Sequence, residues 1–172
     1  QLGTGATTRA NTPQKVAVTD ADSISVGTYG VTDDPNQYIT VCASASGKAY
    51  CWGDNRYGQI GDGTKNAQHT PTPVVGLTGV TQINTGWGST CAVSQGKLFC
   101  WGDNEGQHLG IGSGSATPSP TQITALSGTV SAVETVLGTT CAVVNETSIY
   151  CWGRNSAGQV GNGDSGDDKE VS

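Results

Sequence analysis

Six cysteines are the side chains in this 172-residue sequence whose spacing points to definite chemistry. They fall in three pairs, Cys42 with Cys51, Cys91 with Cys100, and Cys141 with Cys151, and eight or nine residues separate the members of each pair. Paired cysteines suit either a disulfide or half of a metal site. Zinc ligands are usually separated by about two to four residues, so the wider spacing predicts three local disulfides. His69 and His108 both fall in predicted loops, and neither belongs to a catalytic pairing. The acids within 162–170, together with Asp33 and Asp34, are the oxygen ligands on offer for Ca²⁺, but none follows the EF-hand spacing. No glycine-rich run follows a strand and opens a helix, so no nucleotide site is expected. A non-enzyme with no cofactor and no metal is the expectation.

Gly163-Asp164-Ser165-Gly166 resembles the nucleophile segment of trypsin-like proteases, yet it lacks the following Gly-Pro and any Ala-Ala-His-Cys partner. The net charge of −6 and the absence of a basic run argue against a nucleic-acid surface. No apolar stretch is long enough to span a bilayer. Locally paired cysteines imply an oxidising compartment, so an extracellular or cell-surface location is expected. No signal peptide opens the chain, which then reads as a mature form or a fragment.

Each cysteine pair must be positioned by a hairpin. Cys42 and Cys51 are symmetric about Ser46-Gly47, and Cys91 and Cys100 about Gln95-Gly96. A two-residue loop containing Gly suits the turns whose twist matches paired strands. Counting outward places each cysteine pair at a non-hydrogen-bonded position, where alpha carbons approach closest. Cys141 and Cys151 centre on Glu146, which predicts a three-residue loop, Asn145-Glu146-Thr147. The same register opposes Ala43 with Tyr50, Ala92 with Phe99 and Ala142 with Tyr150, on the face away from the sulfurs. Trp52, Trp101 and Trp152 are expected back on the cysteine side, as packing residues. Asn145-Glu146-Thr147 also fits the N-glycosylation pattern on an exposed tip.

The hairpins recur with their surroundings. After each Trp-Gly comes an apolar residue eight positions on and a glycine nine on: Ile60-Gly61, Leu109-Gly110 and Val160-Gly161. Gln107-His108 stands where the other copies have Gly-Gln, so Gln107 must adopt a left-handed backbone or a different turn. Thr/Pro-rich connections, open to O-linked sugar, and Val-rich runs complete about four short strands per unit. A period of about 50 residues indicates a propeller or solenoid. The units divide as 1–61, with a loop insertion near 28–38, then 62–110 and 111–161, and 162–172 is an acidic tail starting a further unit.

The pattern Cys-Ala-x-x-x-x-Gly-x-x-Tyr/Phe-Cys-Trp-Gly-x-Asn-x-x-Gly-Gln-x-Gly, three times over, resembles the repeat of the regulator of chromosome condensation. It is similar in particular to the cysteine-bearing form in secreted bacterial proteins. The resemblance implies an all-β fold of three four-stranded antiparallel blades of a β-propeller, an incomplete ring where the family expects seven. Three blades leave outer faces to be covered, either by more of a longer chain or by further copies.

In an antiparallel meander the insertion, the loop at Trp87 and the post-Trp turns share one end. That gathers Tyr29, Asp33, Asp34, Tyr38, Arg56, Tyr57, Trp87, Glu105, His108 and Arg154 as a candidate binding face. The function expected is a non-catalytic extracellular scaffold that binds a protein partner or further copies of itself, with no nucleic acid. Alternatives are a structural subunit joining head to tail into a ring or filament, and an enzyme-inhibitor propeller.

Overall fold

The computed structural model describes residues 1–29 and 38–166. They form three antiparallel sheets. The first contains β1 (Ala21–Tyr29), β2 (Tyr38–Ala45), β3 (Lys48–Gly53) and β4 (Gln68–Pro73) in meander order. The second repeats it with β5 (Val80–Gly86), β6 (Ser89–Ser94), β7 (Lys97–Gly102) and β8 (Thr117–Gln122). Among the described residues the third has three strands, β9 (Val130–Val136), β10 (Thr139–Val144) and β11 (Ser148–Gly153). The described residues are thus all-β, in blades of an incomplete propeller.

Turn chemistry sets the hairpins. Ser46 and Gly47 have φ of 49° and 73°, and Gln95 and Gly96 have 51° and 71°. Positive φ at both central residues gives the tight turn whose twist suits paired strands. The registers follow: Cys42 opposes Cys51, Cys91 opposes Cys100 and Cys141 opposes Cys151. Each pair is bonded, with alpha carbons 4.1 Å apart. Closing such short loops contributes about 2–3 kcal/mol apiece. Gln107 takes the left-handed backbone itself, at φ 59°.

The tryptophans lie on the other side from the one expected. Trp52 packs with Val41 and Ala43, while Cys42 and Cys51 belong to the core against the second sheet. Strict alternation explains it: Trp52 follows Cys51 directly, so the two point to opposite faces. The blades therefore stack asymmetrically. The disulfide face of the first sheet meets Ala92, Phe99 and Trp101 of the second. The disulfide face of the second meets Ala142 and Trp152 of the third.

Each tryptophan is seated on the preceding unit. The Trp101 indole N–H donates to the Gln59 carbonyl at 3.0 Å, and the Thr90 hydroxyl donates to the same oxygen at 2.7 Å. Trp152 and Thr140 do likewise to the His108 carbonyl, at 3.0 and 2.9 Å. Gly61 lies beneath Trp101, where a Cβ would come within 2.5 Å of the indole nitrogen. That close approach is why glycine recurs there. Trp52 donates to the Gln1 carbonyl at 2.9 Å, with Gly3 beneath the indole. Residues 1–3 thus fill, for the first sheet, the seat that Gln59–Gly61 makes for the second.

Side-chain amides join the inner strands of neighbouring blades. Gln82 on β5 donates to the Val133 carbonyl at 3.1 Å and accepts from the Val133 N–H at 3.0 Å. Asn84 accepts from the Thr135 N–H at 2.9 Å and donates to the Glu134 carboxylate. The amides thus imitate strand pairing where no backbone ladder forms.

Candidate functional site

The loops after β3, β7 and β11 are held by one buried asparagine each. Asn55 accepts from the Ile60 N–H at 2.9 Å and donates to the Thr64 and Asn66 carbonyls at 3.1 and 2.9 Å. Asn104 accepts from Leu109 and donates to the Gly112 and Gly114 carbonyls. Asn155 repeats it with Val160 and Asp164. The Asn of each Trp-Gly-x-Asn motif thus folds the loop that carries Tyr57, Glu105 or Arg154.

At the same end, β5 turns into β6 through Trp87-Gly88, and β9 into β10 through Leu137-Gly138. Trp87 and Leu137 have φ of 48° and 49°. A bulky residue in the left-handed region costs about 1–3 kcal/mol and marks a place where the surroundings enforce it. The Trp87 N–H donates to the Thr28 carbonyl at 3.0 Å, which ties this turn to the end of β1.

These turns bring five of the sequence-predicted residues together. Tyr29 stacks on Tyr57 with ring centroids 4.7 Å apart and on Trp87 at 5.3 Å. Tyr29, Trp87, Glu105 and Arg154, with Gly106, Leu137 and Gly138, line a cavity of about 420 Å³. The hydrogen bond with Tyr57 and burial raise the Tyr29 hydroxyl well above the ordinary tyrosine range. The charges of Asp103 and Glu105 push it the same way. Tyr29 therefore stays a neutral ring at any working pH.

The remaining candidates separate. Arg56 lies over the Tyr38 ring, 3.1 Å from its centroid, and bonds Asp54 at 3.3 Å. His108 is not a surface group: it is 1% exposed. Counted from its Trp it occupies the slot of Gln59 and Gln159, a signal that was present in the repeat. Its Nδ1 lies 2.7 Å from the Glu105 carbonyl and donates to it, while its Nε2 and the neighbouring Asp103 Oδ2 are buried without a hydrogen-bond partner. Asp33 and Asp34 lie outside the described residues. Among the described residues no group of three or more His, Cys, Asp or Glu could hold a metal ion. Asn145 sits at a hairpin tip on the far end, where its side chain accepts from the Thr129 N–H at 2.9 Å. Asp103, Leu137 and Gly138 were not singled out from sequence, since none is aromatic or charged and exposed.

The profile of the "Regulator of chromosome condensation (RCC1) repeat" matches residues 46–93 and 95–144, more than half of the chain. The E3 ubiquitin-protein ligase HERC2 of Homo sapiens is 51% identical over 37 residues, covering 22% of this chain and 1% of the ligase, and that of Mus musculus matches equally. Among solved structures, human WBSCR16 superposes with a TM-score of 0.60 at 22% identity, over 74% of this chain and 35% of that one. Prp20p from Saccharomyces cerevisiae does so with a TM-score of 0.63 at 22% identity, over 73% and 33%. The chain thus spans about a third of those structures and a small part of the ligases.

These relatives overturn one expectation. They are human, mouse and yeast proteins, not secreted bacterial ones, so the extracellular or cell-surface location and the extracellular scaffold built on it are withdrawn. The physical fault lay in reading a compartment from paired cysteines. The hairpin brings the sulfurs together by its register alone, and Cys42, Cys51, Cys91 and Cys100 are fully buried beneath the following blade. What stands is the fold and the motif: the chain belongs to the regulator of chromosome condensation (RCC1) repeat family.

Proposed function

We propose that this chain is a non-catalytic repeat module that docks a protein partner on the loop end where Tyr29, Tyr57 and Trp87 meet. The observation that carries the reading is the convergence of loops from all three sheets on one aromatic cavity. Trp87 and Leu137 support it, because each holds a costly left-handed backbone that presents a large apolar side chain at the rim. Aromatic anchors in a partly dry pocket are the usual centres of binding energy. The related yeast Prp20p is described by its binding properties to Gsp1p and histones, which makes protein binding by such propellers a reasonable model for this one.

The test is proximity labelling and affinity capture with the intact chain, Trp87→Ala, and a control altered at the opposite hairpin tip, Lys97→Ala. Partners are expected to be lost from Trp87→Ala by about tenfold or more, the scale of an anchor residue, and retained by the control. Equal capture by both variants would overturn the assignment of this end.

A further inference from the structure

We infer that the cleft between Trp87 and Leu137 receives a lysine or arginine side chain presented by the protein partner, a statement that rests on the docking end proposed above. The walls suit the stem of such a residue. The paired rings of Tyr29 and Trp87 line it together with Leu137 and Gly138. A long basic side chain lays its methylenes on apolar surface and carries its charge to a polar mouth.

The rings and carboxylates suit the head. Aromatic faces attract a cation held within about 6 Å. Glu105 is exposed at the cavity, and its carboxylate makes no hydrogen bond or ion pair among the described residues. Asp103 is 4% exposed and lies with Tyr29 and Tyr57 around Gly88, its Oδ2 lacking any hydrogen-bond partner. Both charges reach the Tyr29 hydroxyl. The same end already holds one cation in this way: the Arg56 guanidinium rests on the Tyr38 ring and bonds the Asp54 carboxylate. The cleft offers a second pairing of ring and carboxylate to a cation from outside.

Arg154, also at the cavity, has an interaction of its own. Its charge opposes a basic guest and would favour an acidic one, so its replacement reads the sign of the ligand. An acidic guest would have to approach both Glu105 and Asp103.

The experiment follows the Trp87 indole N–H by NMR in the intact chain, assigned through Trp87→Phe. Four capped tripeptides are titrated, Gly-X-Gly with X as lysine, arginine, norleucine or glutamate. Lysine and arginine are expected to give saturable shifts at least about fivefold tighter than norleucine, the scale of an exposed ion pair. Glu105→Gln should weaken them by about the same factor, and Arg154→Ala should tighten them, with unfolding temperatures unchanged. Norleucine matching lysine, glutamate binding best, no saturable shift from any peptide, or indifference to Glu105→Gln would each overturn the inference. Partner capture that still depends on Trp87 in those cases would leave the docking end standing and discard only its charge preference.

Discussion

His108 shows how one substitution within a repeat turns a satisfied polar slot into a pH-sensitive one. In the first unit the Gln59 side-chain amide donates to Asp54 Oδ2 at 2.9 Å. His108 takes the same slot but turns Nδ1 to the Glu105 carbonyl, leaving Nε2 bare and Asp103 Oδ2 unpaired. Burial pushes the imidazole below its ordinary range, and the Glu105 carbonyl and the Asp103 charge only partly counter it. In the unfolded chain histidine titrates near about 6.5. Below that value the unfolded state binds a proton that the folded state refuses, so stability falls as pH drops. Above it the contribution is fully present. His108→Gln should remove this slope and supply the missing donor to Asp103. Between about pH 7 and pH 5, below the unfolded value of about 6.5, the unfolding midpoint of the native chain should drop further than that of the variant. Parallel losses would show that His108 does not carry the effect.

At the scale of the element, the blades are joined by side chains acting as backbone. Gln82 satisfies both the N–H and the carbonyl of Val133, a residue that is itself buried. Gln82→Ala leaves both groups without that partner, and each orphaned group costs about 1–3 kcal/mol. The variant should unfold earlier in denaturant, with faster amide exchange at Val133 and Thr135 and little change at Cys42 or Cys51. Uniform exchange throughout would mean the clamp is not local. This clamp was not legible in the sequence, because a glutamine and an asparagine two apart on a strand look like an ordinary polar face. The hairpins were legible, since Ser46-Gly47 and Gln95-Gly96 each demand one register and the register places the sulfurs. The tryptophan faces were misread although alternation from Cys51 gave the answer. The gathering of Tyr29, Tyr57 and Trp87 at one end was legible from meander geometry, while the walls from Leu137 and Gly138 needed the neighbouring blade in place.

Across the whole molecule the same interface is made twice and then left open. In the second sheet Leu98 is 1% exposed, sealed with Val93 under Val133 and Ala142 of the third. Ile149 stands at the matching position of the third sheet, opposite Val143 as Leu98 is opposite Val93. It is 72% exposed, and Val136 on the same sheet is 62% exposed. In a stacked repeat, stability is a sum of units and of the interfaces between neighbours, so equivalent positions should differ in energy by whether a neighbour covers them. Leu98→Ala removes buried methyl groups and leaves a cavity between blades, which costs about 2–5 kcal/mol. Ile149→Ala removes a side chain that water already touches, and a surface change of that kind shifts stability by about 0.5 kcal/mol or less. Guanidinium unfolding read by tryptophan emission, with disulfides intact, measures both. Trp152 packs in the second interface and reports its loss directly, while Trp101 lies in the first and serves as the comparison. An Ile149→Ala cost as large as that of Leu98→Ala would mean that the third sheet's disulfide face is covered in solution, and that the open blade is closed by something the chain meets there.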